Sequence, residues 1–385
     1  MKLQRLLLAA AACGLALTAL ASASPARFLR TTTEVDGLAM DGSTVAISTA
    51  WSAGHCEREI IWNPVRPSLR ALGRAGSCPQ TSTGRAITFQ AVAGARVAWV
   101  KDAGGNQHDS QLFVAALAKP KTARLLANAN RDIDSGAGDT VGYARGDGSL
   151  LVYATWSLCD AGETPFKRCP AGVTAGTIYN AKLWRVVGTT GKQLIASAPD
   201  ELAPIAVSAG RILVQRASGG LELRAAEGRV LRTFSFESAP LQAALGPREL
   251  VVAVRDTSNR ELPKTRVVFQ VYDVATGALE RTLPAPLTAS PTPTPCAFPV
   301  GASPAACVSP AARLRLQDAD ASRFVYVFGA TVHVTRLVDG ADQSFATIGL
   351  APVSAQLEPA GLAYGYRMTT RLGGRVQFVP ARELR

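Results

Sequence analysis

The feature that most constrains this chain is a short pattern that recurs seven times. Each copy has an apolar run, a tight turn and a second apolar run rich in β-branched and aromatic residues. The clearest copy is "AVAGARVAWV" at residues 91–100. The others lie at 38–48, 142–154, 206–215, 243–254, 316–328 and 355–366. Two β-favouring runs around such a turn are typical of an antiparallel hairpin, so the sequence predicts repeated hairpins.

A third and a fourth β-favouring run follow most copies, which gives units of four antiparallel strands. The strands are apolar on both faces, as expected when other sheets cover both sides. No helical pattern separates them, which excludes a parallel α/β fold. The sequence therefore predicts an all-β single β-propeller of seven four-stranded blades, with six or eight blades also possible.

The last copy supplies only three good strands. The segment 26–34, "ARFLRTTTE", precedes the first hairpin and has no partner of its own. We therefore expect the N-terminal strand to close the propeller by pairing with the last blade, Phe28–Thr33 against Val376–Val379. Such an exchange removes an open sheet edge.

In this arrangement the chain resembles bacterial secreted propellers of the WD40-like and TolB type over about residues 27–385. The Ser-Pro-Asp-Gly turn of that family is echoed by "MDGS" at 40–43 and "GDGS" at 146–149, and the Trp-Asp signature of eukaryotic WD repeats is missing. The resemblance implies a binding or scaffolding role and no particular ligand.

Residues 1–26 have the features of a secretory signal peptide, with cleavage after Ala23 or Ala26. Lys2 and Arg5 precede an apolar stretch that ends in small residues. The stretch is too short for a membrane-spanning helix, and no later segment resembles one. A lipoprotein signal with Cys13 as the lipidated residue is disfavoured, because Cys13 lies inside the apolar stretch. Residues 27–385 are thus expected to form one exported propeller, secreted or associated with the cell envelope.

The formal net charge of +12 could attract polyanions. Its basic residues are scattered singly, without a run of five to eight Lys or Arg, so nucleic acid is not a favoured partner. We expect a solvated, Arg-rich surface on a monomer.

Antiparallel alternation places the turns between first and second strands, and between third and fourth strands, on one rim, the short-turn rim. Its turns are short, and positive φ is expected at Gly94, Gly210 and Gly246. The opposite, long-loop rim receives the insertions, which lie at 52–59, 73–84, 101–110, 157–176, 255–266 and 284–311. Loops on a rigid scaffold commonly carry function, so the long-loop rim is the predicted working face.

Six cysteines remain after the signal and fall as local pairs. The expected disulfides are Cys56–Cys78, Cys159–Cys169 and Cys296–Cys307. No C-x-x-C motif occurs, and the three histidines show no ligand spacing, so no metal or other cofactor is predicted.

Candidate binding residues come from these loops and the strand ends beside them: Trp51, His55, His108, Trp156, Lys167, Arg168 and Arg255. Trp51 and Trp156 could be exposed stacking platforms or could cap the core beneath long loops. His55 and His108 lie beside the acids Glu57 and Asp109, in loops of neighbouring blades.

The leading hypothesis is a non-enzymatic propeller that binds a protein, peptide or glycan through the long-loop rim. The alternative is a hydrolase, lyase or lactonase on the same fold, with a histidine and nearby carboxylates as acid and base. Convergence of both histidines and two carboxylates at the channel mouth would favour the enzyme.

Overall fold

The fold is an all-β propeller. The computed structural model describes residues 27–73, 76–81, 84–105, 107–132, 136–159, 169–236, 240–255, 267–285, 314–350, 352–368 and 373–385. The signal segment 1–26 with Cys13, and also Lys167, Arg168, Cys296 and Cys307, lie outside these residues.

Five four-stranded antiparallel sheets form separate blades around the axis. Four of them follow the chain directly. The first is β2 (Val35–Asp41), β3 (Thr44–Thr49), β4 (Arg58–Asn63) and β5 (Ser68–Leu72). The second is β14 (Leu202–Ser208), β15 (Arg211–Arg216), β16 (Leu221–Ala225) and β17 (Val230–Phe234). The third is β18 (Gln242–Leu245), β19 (Glu249–Arg255), β20 (Val267–Asp273) and β21 (Leu279–Pro284). The fourth is β22 (Leu314–Ala319), β23 (Arg323–Phe328), β24 (Thr331–Arg336) and β25 (Asp342–Ala346).

The fifth separate sheet, the closing blade, joins the two ends of the chain. Its strands are β26 (Pro352–Glu358), β27 (Gly361–Arg367), β28 (Gly374–Pro380) and β1 (Phe28–Thr31). β1 runs antiparallel to β28, with Phe28 opposite Gln377 and Thr31 opposite Gly374. Closure by the N-terminal strand is therefore confirmed, although the strand is shorter than predicted and the register is displaced towards Gly374.

The remaining eight strands form one continuous sheet. The first section is β6 (Arg85–Ala93), β7 (Arg96–Gly104), β8 (Gln107–Ala116) and β9 (Arg124–Asp132). The second section is β10 (Gly138–Asp147), β11 (Leu150–Leu158), β12 (Ile178–Val187) and β13 (Gly191–Ala198). A single residue pair, Arg131 with Gly138, connects the sections. The prediction of seven separate four-stranded blades is thus corrected: five sheets are separate, because pairing of β9 with β10 merges the others.

Two short 3-10 turns, Pro120–Thr122 and Ala381–Glu383, are the helical elements of the described residues. Among those residues, no helix is long and apolar enough to cross a membrane.

The core lies between adjacent sheets, which explains why the strands are apolar on both faces. In β23, Phe324 and Tyr326 pack against the β18–β21 blade, whereas Val325 and Val327 pack against the closing blade. All four are at most 1% exposed. Each strand therefore contributes to two interfaces. Complete burial of one such large side chain stabilises the fold by about 1.5–3 kcal/mol.

The glycine turns on the short-turn rim differ in what they require. Gly94 and Gly210 have the predicted positive φ, +56° and +74°. Gly246 does not have it; there a Cβ would lie 2.7 Å from the carbonyl oxygen of Asp320 in the next blade. Close approach, rather than backbone conformation, therefore selects glycine at position 246.

One loop assignment was wrong. Residues 101–110 were predicted as a long loop, but β7 continues to Gly104 and β8 begins at Gln107, with Gly104 opposite His108. The side chains of this segment are polar, so the sequence lacks the apolar pattern of a buried strand. Hydrogen bonds between the two backbones extend the hairpin there.

Candidate functional site: the long-loop rim and the axial channel

The first disulfide loop brings Trp51 and His55 together on the long-loop rim. The predicted Cys56–Cys78 disulfide is present. The half-buried Trp51 donates a hydrogen bond from Nε1 to the carbonyl oxygen of Cys78 at 3.0 Å. His55 is exposed, and its peptide group pairs with that of Ser52. The indole is thus attached to the disulfide loop, which matches the capping role more closely than a free stacking platform.

Glu57 lies beneath this loop as a paired anion. Its Oε1 is 2.8 Å from Arg85 NH2 and 2.8 Å from Lys101 Nζ, and its side chain is 1% exposed. Burial alone would raise the pKa of Glu57, but hydrogen bonds from Arg85 and Lys101 outweigh it and lower the pKa to about 2. Glu57 therefore holds two strands of the next sheet and is not the acid partner of His55.

His108 lies on β8 rather than in a loop. Its Nε2 is 3.7 Å from Oδ1 of Asp102 on β7, and both side chains are largely buried. The neighbouring Asp109 instead accepts a hydrogen bond from Asn130 at 2.6 Å. The acid nearest His108 is thus across the hairpin, a pairing that the assignment of a loop could not reveal.

Trp156 belongs to a cluster of three aromatic rings. The ring centroids of Trp156 and Tyr143 are 5.0 Å apart, and those of Tyr143 and Phe89 are 5.2 Å apart. Trp156 also covers Gly142, where a Cβ would lie 2.6 Å from the indole. Phe89 comes from β6 and Tyr143 from β10, so the cluster joins the two sections of the eight-stranded sheet and Trp156 is a packing residue there.

Arg255 is exposed at the end of β19. The insertion that follows it, 256–266, lies outside the described residues.

A surface cavity of about 430 Å³, the rim cavity, lies next to the segment that follows the second disulfide. Its lining comes from residues 172–174, 177–179, 199–201 and 217. The predicted Cys159–Cys169 disulfide holds the base of the loop. Within the loop, the amide of Gly176 donates to the carbonyl oxygen of Cys159 at 2.9 Å. The predicted long loop 157–176 and two short connections, at 199–201 and at Ala217, thus meet around one cavity.

The rim cavity carries two adjacent acids. Asp200 Oδ1 pairs with Arg216 NH2, and Arg216 NH1 is 3.1 Å from Glu222. Glu201 Oε1 accepts a hydrogen bond from the hydroxyl of Tyr143 at 3.4 Å. Sequence reasoning missed both acids, because a three-residue connection between β13 and β14 gave no sign that a neighbouring loop would cover it.

An axial channel of about 410 Å³ runs between the innermost strands. Several of these strands place a glutamine in it: Gln90, Gln242, Gln317 and Gln356. Gln242 Oε1 accepts a hydrogen bond from the amide of Leu316 at 2.5 Å, and Gln317 Oε1 accepts one from the amide of Ala355 at 3.4 Å. The carboxamides thereby link one innermost strand to the next. The recurring Gln in "FQA", "LQA", "LQD" and "AQL" was a sequence signal for them.

Arg145 also lies in the channel, where its Nε donates to the carbonyl oxygen of Ile205 at 2.9 Å. Burial lowers the pKa of Arg145. The histidines expected to mark an enzyme, His55 and His108, are not among the residues that line the channel.

Three carboxylates meet where the innermost strands end at the short-turn rim. Oxygen atoms of Asp41, Asp147 and Glu358 lie within 4.8 Å of one another. Such a group offers the oxygen ligands that hard cations such as Ca²⁺ prefer. Each carboxylate also accepts a backbone amide hydrogen bond from the next sheet: Asp41 from Gly94, Asp147 from Ala209 and Glu358 from Gly42. The acids therefore join neighbouring sheets in the described structure.

Burial and neighbouring negative charges raise the pKa values of Asp147 and Glu358. Burial, and then the negative charges of Asp318, Asp147 and Asp41, raise the pKa of Glu358 to about 9. Burial also raises the pKa of Asp318 to about 7, against hydrogen bonds from two backbone amides. Glu358 is thus protonated at neutral pH.

Comparison with known proteins supports the fold alone. A crystal structure of a mitotic checkpoint complex aligns with 95% of this chain and 99% of its own, at 12% identity and a TM-score of 0.51. The β-propeller domain of Myceliophteria thermophila Cps50 (Swd1) aligns with 92% of this chain and 99% of its own, at 10% identity and a TM-score of 0.50. The WD40 β-propeller domain of Doa1 aligns over 92% and 96%, at 13% identity and a TM-score of 0.46. No protein-family model and no curated protein matches the sequence significantly.

Proposed function

We propose that the protein is an exported, non-enzymatic propeller of the bacterial WD40-like or TolB type, which binds a protein, peptide or glycan through the long-loop rim. The rim cavity is the observation that carries this proposal. It is a concave site with apolar walls and a few polar groups, on loops supported by a rigid scaffold. The two disulfides support an oxidising location.

We also infer that the two sections of the eight-stranded sheet act as two blades. The innermost strands β2, β6, β10, β14, β18, β22 and β26 contact one another in that order, and β26 contacts β2. This ring supports a seven-part propeller in which one pair of blades shares a single bridge.

The function is tested by comparing the two rims. A photo-crosslinking amino acid at Ala217, which lines the rim cavity, is compared with one at Ala275, an exposed residue of a short turn between β20 and β21. Both oxidised proteins are exposed to envelope extract and culture medium. We expect a specific crosslinked partner at position 217 alone, and the partner is then purified for a binding titration. Equal crosslinking at position 275, or at neither position, would contradict the choice of rim.

A further inference from the structure

We propose that the rim cavity binds the cationic side chain of a lysine or arginine from the partner. This inference rests on the proposed function, because it specifies the chemistry of a partner at that same rim. It draws on the walls, charge and rigidity of the cavity.

The walls suit an aliphatic stem. Val173, Ile178, Pro199 and Ala217 line the cavity together with Tyr179. Lysine and arginine bury their methylene groups along apolar surface and keep the charged end at a polar site. A cavity lined by apolar side chains and by two carboxylates, Asp200 and Glu201, matches both parts of such a side chain.

The carboxylates have acceptor capacity left. Among the described residues, Glu201 Oε1 accepts a hydrogen bond from Tyr143, and Asp200 Oδ1 accepts one from Arg216. Glu201 Oε2 and Asp200 Oδ2 have no protein donor there. Hydrogen bonds between an ionised donor and a carboxylate are about twice as strong as neutral ones. An incoming ammonium or guanidinium can therefore gain a contact without displacing an existing one.

The local charge also favours a cation. Arg216 is shared between Asp200 and Glu222, and Arg224 also pairs with Glu222. Glu201 therefore adds a negative charge that no basic residue of the described cluster neutralises. The site is acidic although the whole chain has a net charge of +12, so the specificity would be local and not a general property of the surface.

The cavity is held in shape before any ligand arrives. The loop is closed by Cys159–Cys169, and Thr177 Oγ1 donates to the carbonyl oxygen of Thr174 at 2.6 Å. Positive φ at Gly172 and Gly176, +82° and +76°, fits glycine at these bends. A site that is already ordered loses little conformational entropy on binding.

The test uses oxidised protein of residues 27–385 and three small probes. N-acetyl-lysine methylamide and N-acetyl-arginine methylamide carry the charge, and N-acetyl-norleucine methylamide is an uncharged analogue of the lysine probe. Binding is measured by saturation-transfer NMR titration. We expect the charged probes to bind about tenfold more tightly than norleucine, as the loss of one charge-assisted contact of about 1.4 kcal/mol implies.

Glu201→Gln is the decisive variant, because the amide oxygen can still accept the hydrogen bond from Tyr143. It should weaken both charged probes about tenfold and leave norleucine unchanged. Glu227→Gln is the matched control: Glu227 has a 59% exposed side chain in a short turn on the opposite rim. The control should not change binding, and melting curves of both variants check that they are folded.

Equal affinity for lysine and norleucine probes, or unchanged binding in Glu201→Gln, would overturn the inference. So would binding that appears only after Lys167→Gln and Arg168→Gln, since the cavity would then belong to side chains of this chain. A partner crosslinked at position 217 with no preference for charged probes removes this inference alone. Charged probes that bind without a crosslinked partner remove the proposed function alone.

Discussion

The two rims of this propeller are stabilised by different contacts. At the short-turn rim, glycine turns and carboxylates of one sheet contact the backbone of the next, as Asp147 does with Ala209. At the long-loop rim, disulfides and hydrogen bonds within loops hold segments that contribute little to the buried core, as around Cys159–Cys169. The comparison indicates that the short-turn rim joins neighbouring sheets, whereas the long-loop rim mainly stabilises its own loops.

The largest expected effect is at a glycine turn of the short-turn rim. Gly94→Val should lower the free energy of unfolding by about 4 kcal/mol, since strain from positive φ adds to overpacking. A Cβ at Gly94 would lie 2.8 Å from the carbonyl oxygen of Gly148, whereas Gly210 has positive φ and open space. Gly210→Val should therefore cost about 1–3 kcal/mol. Denaturant titration measures both; equal losses would show that contact between sheets adds nothing.

Removal of a disulfide tests the other rim. Cys56→Ser with Cys78→Ser opens a bridge between residues 22 apart in sequence. In the chain-entropy model this costs about 3 kcal/mol. Because Trp51 donates to Cys78, indole fluorescence should also change before global unfolding. A variant that keeps the wild-type fluorescence and stability would show that the loop does not depend on its bridge.

A pH titration sharpens the comparison further. The pKa of Glu358 is raised from 4.5 to about 9 on folding, so the folded state retains a proton that the unfolded state has released. The contribution of Glu358 to stability is therefore fully present below about pH 4.5 and is lost as the pH rises towards 9. Between pH 5 and 8 we expect a loss of at least about 1.4 kcal/mol, equivalent to one pKa unit.

Glu358→Gln should remove part of this slope and raise stability at pH 8. Glu57→Gln is the contrasting variant at the long-loop rim, because the pKa of Glu57 is lowered to about 2. It should be destabilising at pH 8 and leave the slope between pH 5 and 8 unchanged. An unchanged slope in Glu358→Gln would mean that the carboxylates do not interact as the geometry indicates.

The smallest expected effect on stability comes from the longest insertion. Deletion of Ala289–Ser309, which lies outside the described residues, should change the free energy of unfolding by less than about 1 kcal/mol, since loop closure depends weakly on length. It should weaken partner binding if the insertion contributes to the working face. A melting curve and a binding titration of the same variant distinguish the two effects. Unfolding with unaltered binding per folded molecule would make the insertion structural.

Local patterns predicted much of this fold. The hairpin around Gly94, closure by Phe28–Thr31 and the two described disulfides all follow from residues adjacent in sequence or from an unpartnered strand. The bridge between Arg131 and Gly138 could not be predicted, because one pairing has no periodic signature.

The candidate site was less predictable than the fold. Asp41, Asp147 and Glu358 come from three distant repeats and meet only once the ring is closed. Glu201 gains its neighbours from Tyr143 on β10 and from a loop that follows β11. Trp51 and Trp156 were chosen by residue type, and the sequence did not predict the contacts they make: Trp51 donates to the carbonyl oxygen of Cys78, and Trp156 packs on Tyr143.

The closing blade also determines when folding can be completed during synthesis. Arg27 pairs with Glu383, 356 residues further along the chain. Thr31 Oγ1 accepts a hydrogen bond from the backbone amide of Gly374. Contacts so remote in sequence form slowly, because a long loop must close before any of them is gained. The first strand therefore stays unpaired until almost the whole polypeptide has been synthesised. During that interval the nascent chain exposes strand edges to aggregation.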